Sequence, residues 1–107
     1  MGTFWLSKTP EIPSKNWDAA LPRICTYAEF SSKKNQFWVF NTHYDHLGKM
    51  ARSASSELIL TKIANINKQD HPVILMGDFN ALEKELPIQL ITKKYLDSRH
   101  STNHFFG

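Results

Sequence analysis

Asn41-Thr42-His43-Tyr44-Asp45-His46 and, further along, Gly77-Asp78-Phe79-Asn80 are the stretches whose reading decides the fold. Each is fed by a run of apolar, β-branched or aromatic residues that reads as a strand: Gln36 to Thr42 before the first, Val73 to Met76 before the second. Polar and titratable groups therefore collect at two strand ends. In open α/β proteins these ends face a crevice, because backbone pairing stops there and side chains meet the ligand. Between the two stretches, Ala51, Ala54, Leu58, Ile59, Lys62, Ile63 and Ile66 recur with helical spacing and predict a helix over 50–67. Pro72 keeps His71 out of helical geometry and ends that helix. The segment 72–80 then reads as a strand, with Val73 to Met76 buried on both faces. The local plan is strand, helix, strand.

Working outward, Arg23 to Phe30 and Gln36 to Thr42 predict an antiparallel β-hairpin over 23–42, turning through the polar interval Ser31 to Asn35 with Lys33-Lys34 in solvent. Residues 1–22 carry Pro10, Pro13 and Pro22 among Ser, Lys, Asn and Asp, which predicts an irregular loop packed through Trp5 and Trp17. A second helix is expected over 86–94, with Pro87 at a helix-friendly first position, followed by a polar tail over 95–107. The 107 residues suffice for one modest domain, and hydrophobic residues at 41% argue against disorder. A net charge of +3 would suit a polyanion, but the 13 Lys and Arg are scattered among 10 acids, so nucleic acid is one partner among several. Cys25 is the sole cysteine, which excludes an internal disulfide and suggests a buried thiol. No run reaches the ~20 apolar residues of a membrane span, and the first residues lack a basic start followed by a long apolar core. The compartment stays open at this point, with the cytoplasm favoured and secretion neither shown nor excluded.

Asp78 and Asn80 lie two apart at the end of an extended run, so both side chains face one crevice while Phe79 turns into packing. A carboxylate there can orient or deprotonate water, or bind a metal; the amide beside it can hold the water or a phosphoryl oxygen without adding charge. Gly77 lets the chain turn where a side chain would obstruct the approach of a substrate. Gly, Asp and Asn are also ordinary turn residues, and a turn with no chemistry is the alternative. His43 and Asp45, likewise two apart at a strand end, shift the balance, since an imidazole beside a carboxylate can supply a proton or a positive charge to a developing phosphorane. His46 reads as a loop-fixing histidine.

These residues resemble the signatures of the endonuclease/exonuclease/phosphatase superfamily, the DNase-I-like metal-dependent phosphodiesterases and phosphomonoesterases. Trp17 to Thr26, the hairpin, Asn41 to His46, Ala51-Arg52 and Gly77 to Asn80 follow in the order seen in bacterial members. The resemblance implies an α/β fold forming part of a four-layer α/β sandwich, with mixed and antiparallel strands and a flanking helix. It implies a phosphate-ester hydrolase that uses Mg²⁺ or Mn²⁺. Asp78 would be the carboxylate that activates water and a possible metal ligand, Asn80 would contact the scissile phosphate and the water, and His43 would bond a phosphoryl oxygen. Arg23 would reach toward phosphate as a guanidinium fork, with Asp45, His46 and Arg52 in support.

The departures from the family pattern carry as much weight. The superfamily's upstream strand with its metal-holding Glu and its downstream Ser-Asp-His segment have no counterpart in this sequence, which reads as a partial domain over 1–107. A sheet cut on one side leaves unpaired edges and an uncovered apolar face, so the remainder of the parent domain or self-association is an expected partner, besides a phosphate-ester substrate. Two other function classes stand beside the hydrolase. One is a catalytically incomplete remnant that binds phosphate or a partner. The other is a zinc hydrolase of the metallo-β-lactamase type, from His43-Tyr44-Asp45-His46, although Asn41 stands where a first histidine ligand is needed. His100 and His104, one helical turn apart, read as a solvated tail, and Trp5, Phe37, Trp38 and Phe40 as core rather than a base-stacking platform.

Overall fold

The computed structural model describes residues 1–96; the predicted tail beyond Leu96, with His100 and His104, lies outside the described residues. Strand β1 (Gly2–Trp5), strand β2 (Ile24–Ser32), strand β3 (Asn35–His43), helix α1 (Lys49–Ile66), strand β4 (Val73–Asp78) and helix α2 (Leu86–Thr92) follow in chain order. The strands form one mixed sheet in the order β1-β2-β3-β4. β1 and β3 run antiparallel to β2, whereas β4 runs parallel to β3. That parallel step needs the crossover that α1 supplies.

The hairpin is longer and its turn tighter than the composition suggested. Ser31 pairs with Gln36 and Ser32 with Asn35, leaving Lys33-Lys34 as the turn, with Lys33 at φ 54°. Polar residues extend a ladder without difficulty where both faces meet water. The first segment departs from its prediction. Gly2–Trp5 is a strand, paired from Gly2↔Tyr27 to Trp5↔Ile24, and only the stretch after it is irregular. Phe4, 4% exposed, explains why, since one buried aromatic on a short edge strand docks the chain before the Pro-rich stretch begins.

Period-two alternation sorts the sheet into two faces. Phe4, Cys25, Phe40 and Thr42 are buried on the face covered by α1, whose Ile59 and Ile63 complete the core with Leu6 and Tyr44. Tyr27 stacks on Phe40 at 5.3 Å and tilts against Trp38, so these three are core, whereas Phe37 stacks on the exposed Phe30 at 5.5 Å outside the core cluster. Burial pushes the Cys25 thiol up to about 12, although a backbone bond from Asn41 opposes it. The buried stripe of α1 also holds Arg52, Ser55 and Ser56, polar residues that dilute the apolar periodicity.

The opposite face carries Asn41, His43, Ile74, Met76 and Asp78, all exposed. The expectation that Val73 to Met76 is buried on both faces is therefore corrected: Val73 and Leu75 pack inward, but Ile74 and Met76 are half exposed. β4 ends the sheet order and pairs only with β3 among the described residues, so no further layer covers that side. This is the uncovered apolar face that the partial-domain reading anticipates.

Candidate active site

The site is built on the last rung of the parallel ladder, where His43 lies opposite Asp78. The Tyr44 N–H donates to the Asp78 carbonyl oxygen at 2.8 Å and closes that rung. His43 Nε2 then stands 3.5 Å from Asp78 Oδ2, with both side chains more than half exposed. Gly77, at φ 140°, makes the close approach feasible: a Cβ there would run into the Thr42 carbonyl oxygen and lie 2.8 Å from its carbon. The obstruction is thus the neighbouring strand, not an incoming substrate.

Beyond Asp78 the chain turns. The Asn80 N–H donates to Asp78 Oδ1 at 2.9 Å, and Asn80 itself adopts φ 48°, a conformation asparagine tolerates. The segment is a turn and a cluster of functional groups at once. Asn80 Nδ2 donates to the Tyr44 carbonyl oxygen at 2.7 Å, and because that partner can only accept, the amide is oriented with Oδ1 directed elsewhere. Asn80 therefore offers Oδ1 as an acceptor, suited to a water proton, and keeps its second Nδ2 hydrogen as a donor that suits a phosphoryl oxygen. Phe79 packs edge-on against Tyr44 at 5.0 Å.

Asp45 does not join His43. β3 ends at His43, the alternation lapses, and the Asp45 side chain is buried. Its Oδ1 accepts the N–H groups of Ala20 and Leu21, and its Oδ2 those of Leu47 and Gly48. Burial works against its charge, but these four bonds outweigh it and hold the carboxyl well below the usual carboxylate range. Arg52, also buried, donates from Nη1 to the Asp45 carbonyl oxygen at 3.1 Å. Asp45 and Arg52 are therefore scaffold for the histidine loop.

Arg23 and His46 form a separate pair. Arg23 Nη2 lies 3.0 Å from His46 Nδ1, and Arg23 Nε stands 3.8 Å from Asp45 Oδ1, too long for a hydrogen bond. With Asp45 buried beneath four backbone N–H groups, His43, Asp45 and His46 do not come together as the ligand group that a zinc site would need. No group of three or more His, Cys, Asp or Glu able to hold a metal occurs among the described residues.

One residue had no assigned role. Asp18 accepts the Met50 N–H on Oδ2 and the Ala51 N–H on Oδ1, at 3.1 and 2.6 Å, and so caps α1 from a distant loop. Desolvation opposes its charge, and the Ala51 and Met50 bonds outweigh it, lowering its pKa. Its only sequence signal is its place beside Trp17 in the stretch that carries the family resemblance.

Comparison with known proteins gives the geometry a context. No family model and no curated protein matches the chain. Solved structures do. An endonuclease/exonuclease/phosphatase family protein from Bacteroides thetaiotaomicron is 43% identical, with a TM-score of 0.84 over 87% of this chain and 35% of its own. A mannosyl-6-phosphatase from B. thetaiotaomicron VPI-5482 is 43% identical, with a TM-score of 0.83 over 87% of this chain and 36% of its own. A functionally unknown conserved protein from Enterococcus faecalis V583 is 41% identical, with a TM-score of 0.83 over 91% of this chain and 39% of its own. At these identities the mixed sheet with flanking helices is a DNase-I-like α/β fragment similar to part of the endonuclease/exonuclease/phosphatase family proteins, and the chain spans little more than a third of the length of the structures it matches.

Proposed function

We propose that this chain carries part of the active site of a phosphate-ester hydrolase in which Asp78 serves the attacking water. The observation that carries the reading is the exposed His43 Nε2 to Asp78 Oδ2 approach of 3.5 Å across paired strand ends. A carboxylate and an imidazole on a rigid ladder can divide the work, the acid taking a water proton and the ring donating to a phosphoryl oxygen. Asn80, oriented by the bond from its Nδ2 to the Tyr44 carbonyl oxygen, can accept a hydrogen bond from the water on Oδ1 and donate its second Nδ2 hydrogen to a phosphoryl oxygen. Phosphomonoesters, sugar phosphates included, are the first substrates to try, because one matched protein is named a mannosyl-6-phosphatase.

Mg²⁺ or Mn²⁺ enters this proposal through the family. When bound, such an ion neutralises charge on the phosphoryl and leaving oxygens. Asp78 offers it a single carboxylate, and the described residues do not by themselves compose a cation site. No step is therefore drawn through the metal.

The second reading, a phosphate-binding remnant without turnover, is favoured by that short donor set and by the third of a domain that the chain spans. p-Nitrophenyl phosphate, bis(p-nitrophenyl) phosphate and mannose 6-phosphate, each with Mg²⁺ or Mn²⁺, separate the two. Asp78→Ala should lower turnover by about 10² or more if Asp78 acts as the base. Equal rates for both proteins would reject catalysis here, and phosphate binding with no turnover would select the remnant.

A further inference from the structure

We propose that the fully buried Tyr44 is a positioning residue of the site: it grips both ends of the segment from Asn80 to Pro87 and so fixes the Asn80 amide relative to Asp78. Its backbone holds the near end. The Tyr44 N–H donates to the Asp78 carbonyl oxygen at 2.8 Å, and the Tyr44 carbonyl oxygen accepts from Asn80 Nδ2 at 2.7 Å. Its side chain holds the far end through Ser56, which is also fully buried. Ser56 Oγ donates to the Pro87 carbonyl oxygen at 2.8 Å and so spends the single hydrogen of a serine hydroxyl. In the 2.9 Å contact between Tyr44 and Ser56 the phenol is therefore the donor.

A closed circuit results. It runs from the Tyr44 hydroxyl through Ser56 to Pro87, back along the chain to Asn80, and through the Asn80 amide to the Tyr44 carbonyl oxygen. The connecting turn is itself braced: the Leu82 N–H donates to Glu85 Oε1 and the Glu85 N–H to the Leu82 carbonyl oxygen, at 2.8 and 2.9 Å. Phe79 meets the Tyr44 ring edge-on. A tyrosine kept only to fill a core needs one partner for its hydroxyl. Here the hydroxyl, ring, N–H and carbonyl oxygen all engage, directly or through Ser56, the stretch that carries Asp78 and Asn80. Burial pushes the phenol pKa up against the opposing Ser56 bond, so it stays a donor throughout the neutral range. Asn80, at φ 48° beyond the end of β4, is outside the ladder, and the Tyr44 carbonyl oxygen orients its amide in place of strand pairing. Removing a hydroxyl at the far end of the circuit thus loosens the amide at the near end. The effect on turnover rests on the phosphate-ester reading; the orientation of Asn80 by Tyr44 does not.

The test uses the full chain labelled with ¹⁵N and ¹³C. Scalar coupling across the hydrogen bond, from Asn80 Nδ2 to the Tyr44 carbonyl carbon, reports the orientation without substrate. It should be present in the parent and fall about twofold or more in Tyr44→Phe and in Ser56→Ala. Phe4→Leu, a core change on the far edge of the sheet, should leave it at parent strength and so separates positioning from general loss of stability. Amide spectra confirm that each variant is folded. With p-nitrophenyl phosphate and Mg²⁺, Tyr44→Phe should lower kcat about fivefold or more with KM within about twofold of the parent, and Phe4→Leu should leave both within about twofold.

Coupling at parent strength in Tyr44→Phe and Ser56→Ala, an equal loss in Phe4→Leu, or a lowered coupling with kcat unchanged overturns the proposal. Coupling that responds to the hydroxyl in a chain whose hydrolysis ignores Asp78→Ala keeps the positioning and rejects the hydrolase reading. Hydrolysis lost in Asp78→Ala, with coupling indifferent to the hydroxyl, does the reverse.

Discussion

Gly77→Ala tests the argument that the site depends on how closely two strands approach. The φ of 140° at this position costs an alanine about 1–3 kcal/mol on backbone grounds alone. The added methyl would overlap the Thr42 carbonyl oxygen and sit 2.8 and 2.9 Å from the Thr42 carbon and nitrogen, inside the 3.0 Å that Cβ atoms keep. All three atoms are backbone, so no side chain can swing away, and the end of β4 must part from β3. Parting forfeits the bond from the Tyr44 N–H to the Asp78 oxygen, worth about 1 kcal/mol, and widens the His43 to Asp78 gap. The total loss is about 3 kcal/mol or more, which for a domain of this size lowers Tm by more than about 12 °C. Thermal melts followed by circular dichroism measure the loss, and hydrogen exchange at the Tyr44 amide reports whether the rung has opened. Gly2→Ala is the control: its nearest obstacle is the Tyr27 side chain, which can move, so its Tm should fall by less than about 4 °C. A Gly77→Ala protein melting within about 4 °C of the parent, its Tyr44 amide still protected, would refute the reasoning.

Two further perturbations probe the scaffold. Asp45→Asn keeps one acceptor oxygen but turns an NH₂ toward two of the four backbone N–H groups, so stability should fall by about 2–4 kcal/mol in urea titrations. Because the folded carboxyl titrates below its ordinary value of 3.8, its contribution is present above that pH and disappears as the solution becomes more acidic; the parent should lose stability below about pH 4 more steeply than Asp45→Asn. Ser56→Ala should cost about 2 kcal/mol, since Ser56 Oγ accepts from the buried Tyr44 hydroxyl and donates to the Pro87 carbonyl oxygen, both of which lose their partner; Tyr44→Phe, which leaves the Pro87 bond intact, should cost about half as much in the same melts.

The hairpin and the crossover helix were legible because local pattern and tertiary burial agree there. Phe40 and Tyr27 alternate with solvent-facing neighbours, and Ile59 and Ile63 fall on the α1 stripe. β1 was not, because four residues give too short a window for period two and the prolines behind them dominate the composition. Ser56 was invisible as core for a related reason: its hydroxyl is satisfied by Tyr44 and Pro87, which lie on other segments. Within the site, His43 and Asp78 meet at the strand ends that their sequence positions implied, whereas Asn80 lies past the end of β4 in a turn at φ 48° and is placed by its bond to Tyr44 rather than by alternation. Asp45 separates from them because alternation holds only while the chain is extended, and β3 stops two residues earlier. Asp18 leaves no local trace at all, since the N–H groups it caps belong to Met50 and Ala51.

The division of labour among the acidic residues explains why a site of exposed groups can still be ordered. Asp45 and Asp18 between them accept six backbone N–H groups, from Ala20, Leu21, Leu47, Gly48, Met50 and Ala51, and so tie the loop after β3 and the start of α1 to the segment before β2. Arg23, His43 and His46 are carried on backbone that has little freedom left. Asp78 is fixed by its rung instead, which leaves its carboxylate 62% exposed beside a histidine that is 56% exposed. In that much water a polar contact at 3.5 Å is worth little, whereas the same contact behind a low-dielectric wall would act several times more strongly. Met76 and Ile74 stand on the same face as His43 and Asp78, two and four residues back along β4, and are the apolar surface on which such a wall would rest. Burying that face and strengthening the field at the strand ends are therefore a single physical event.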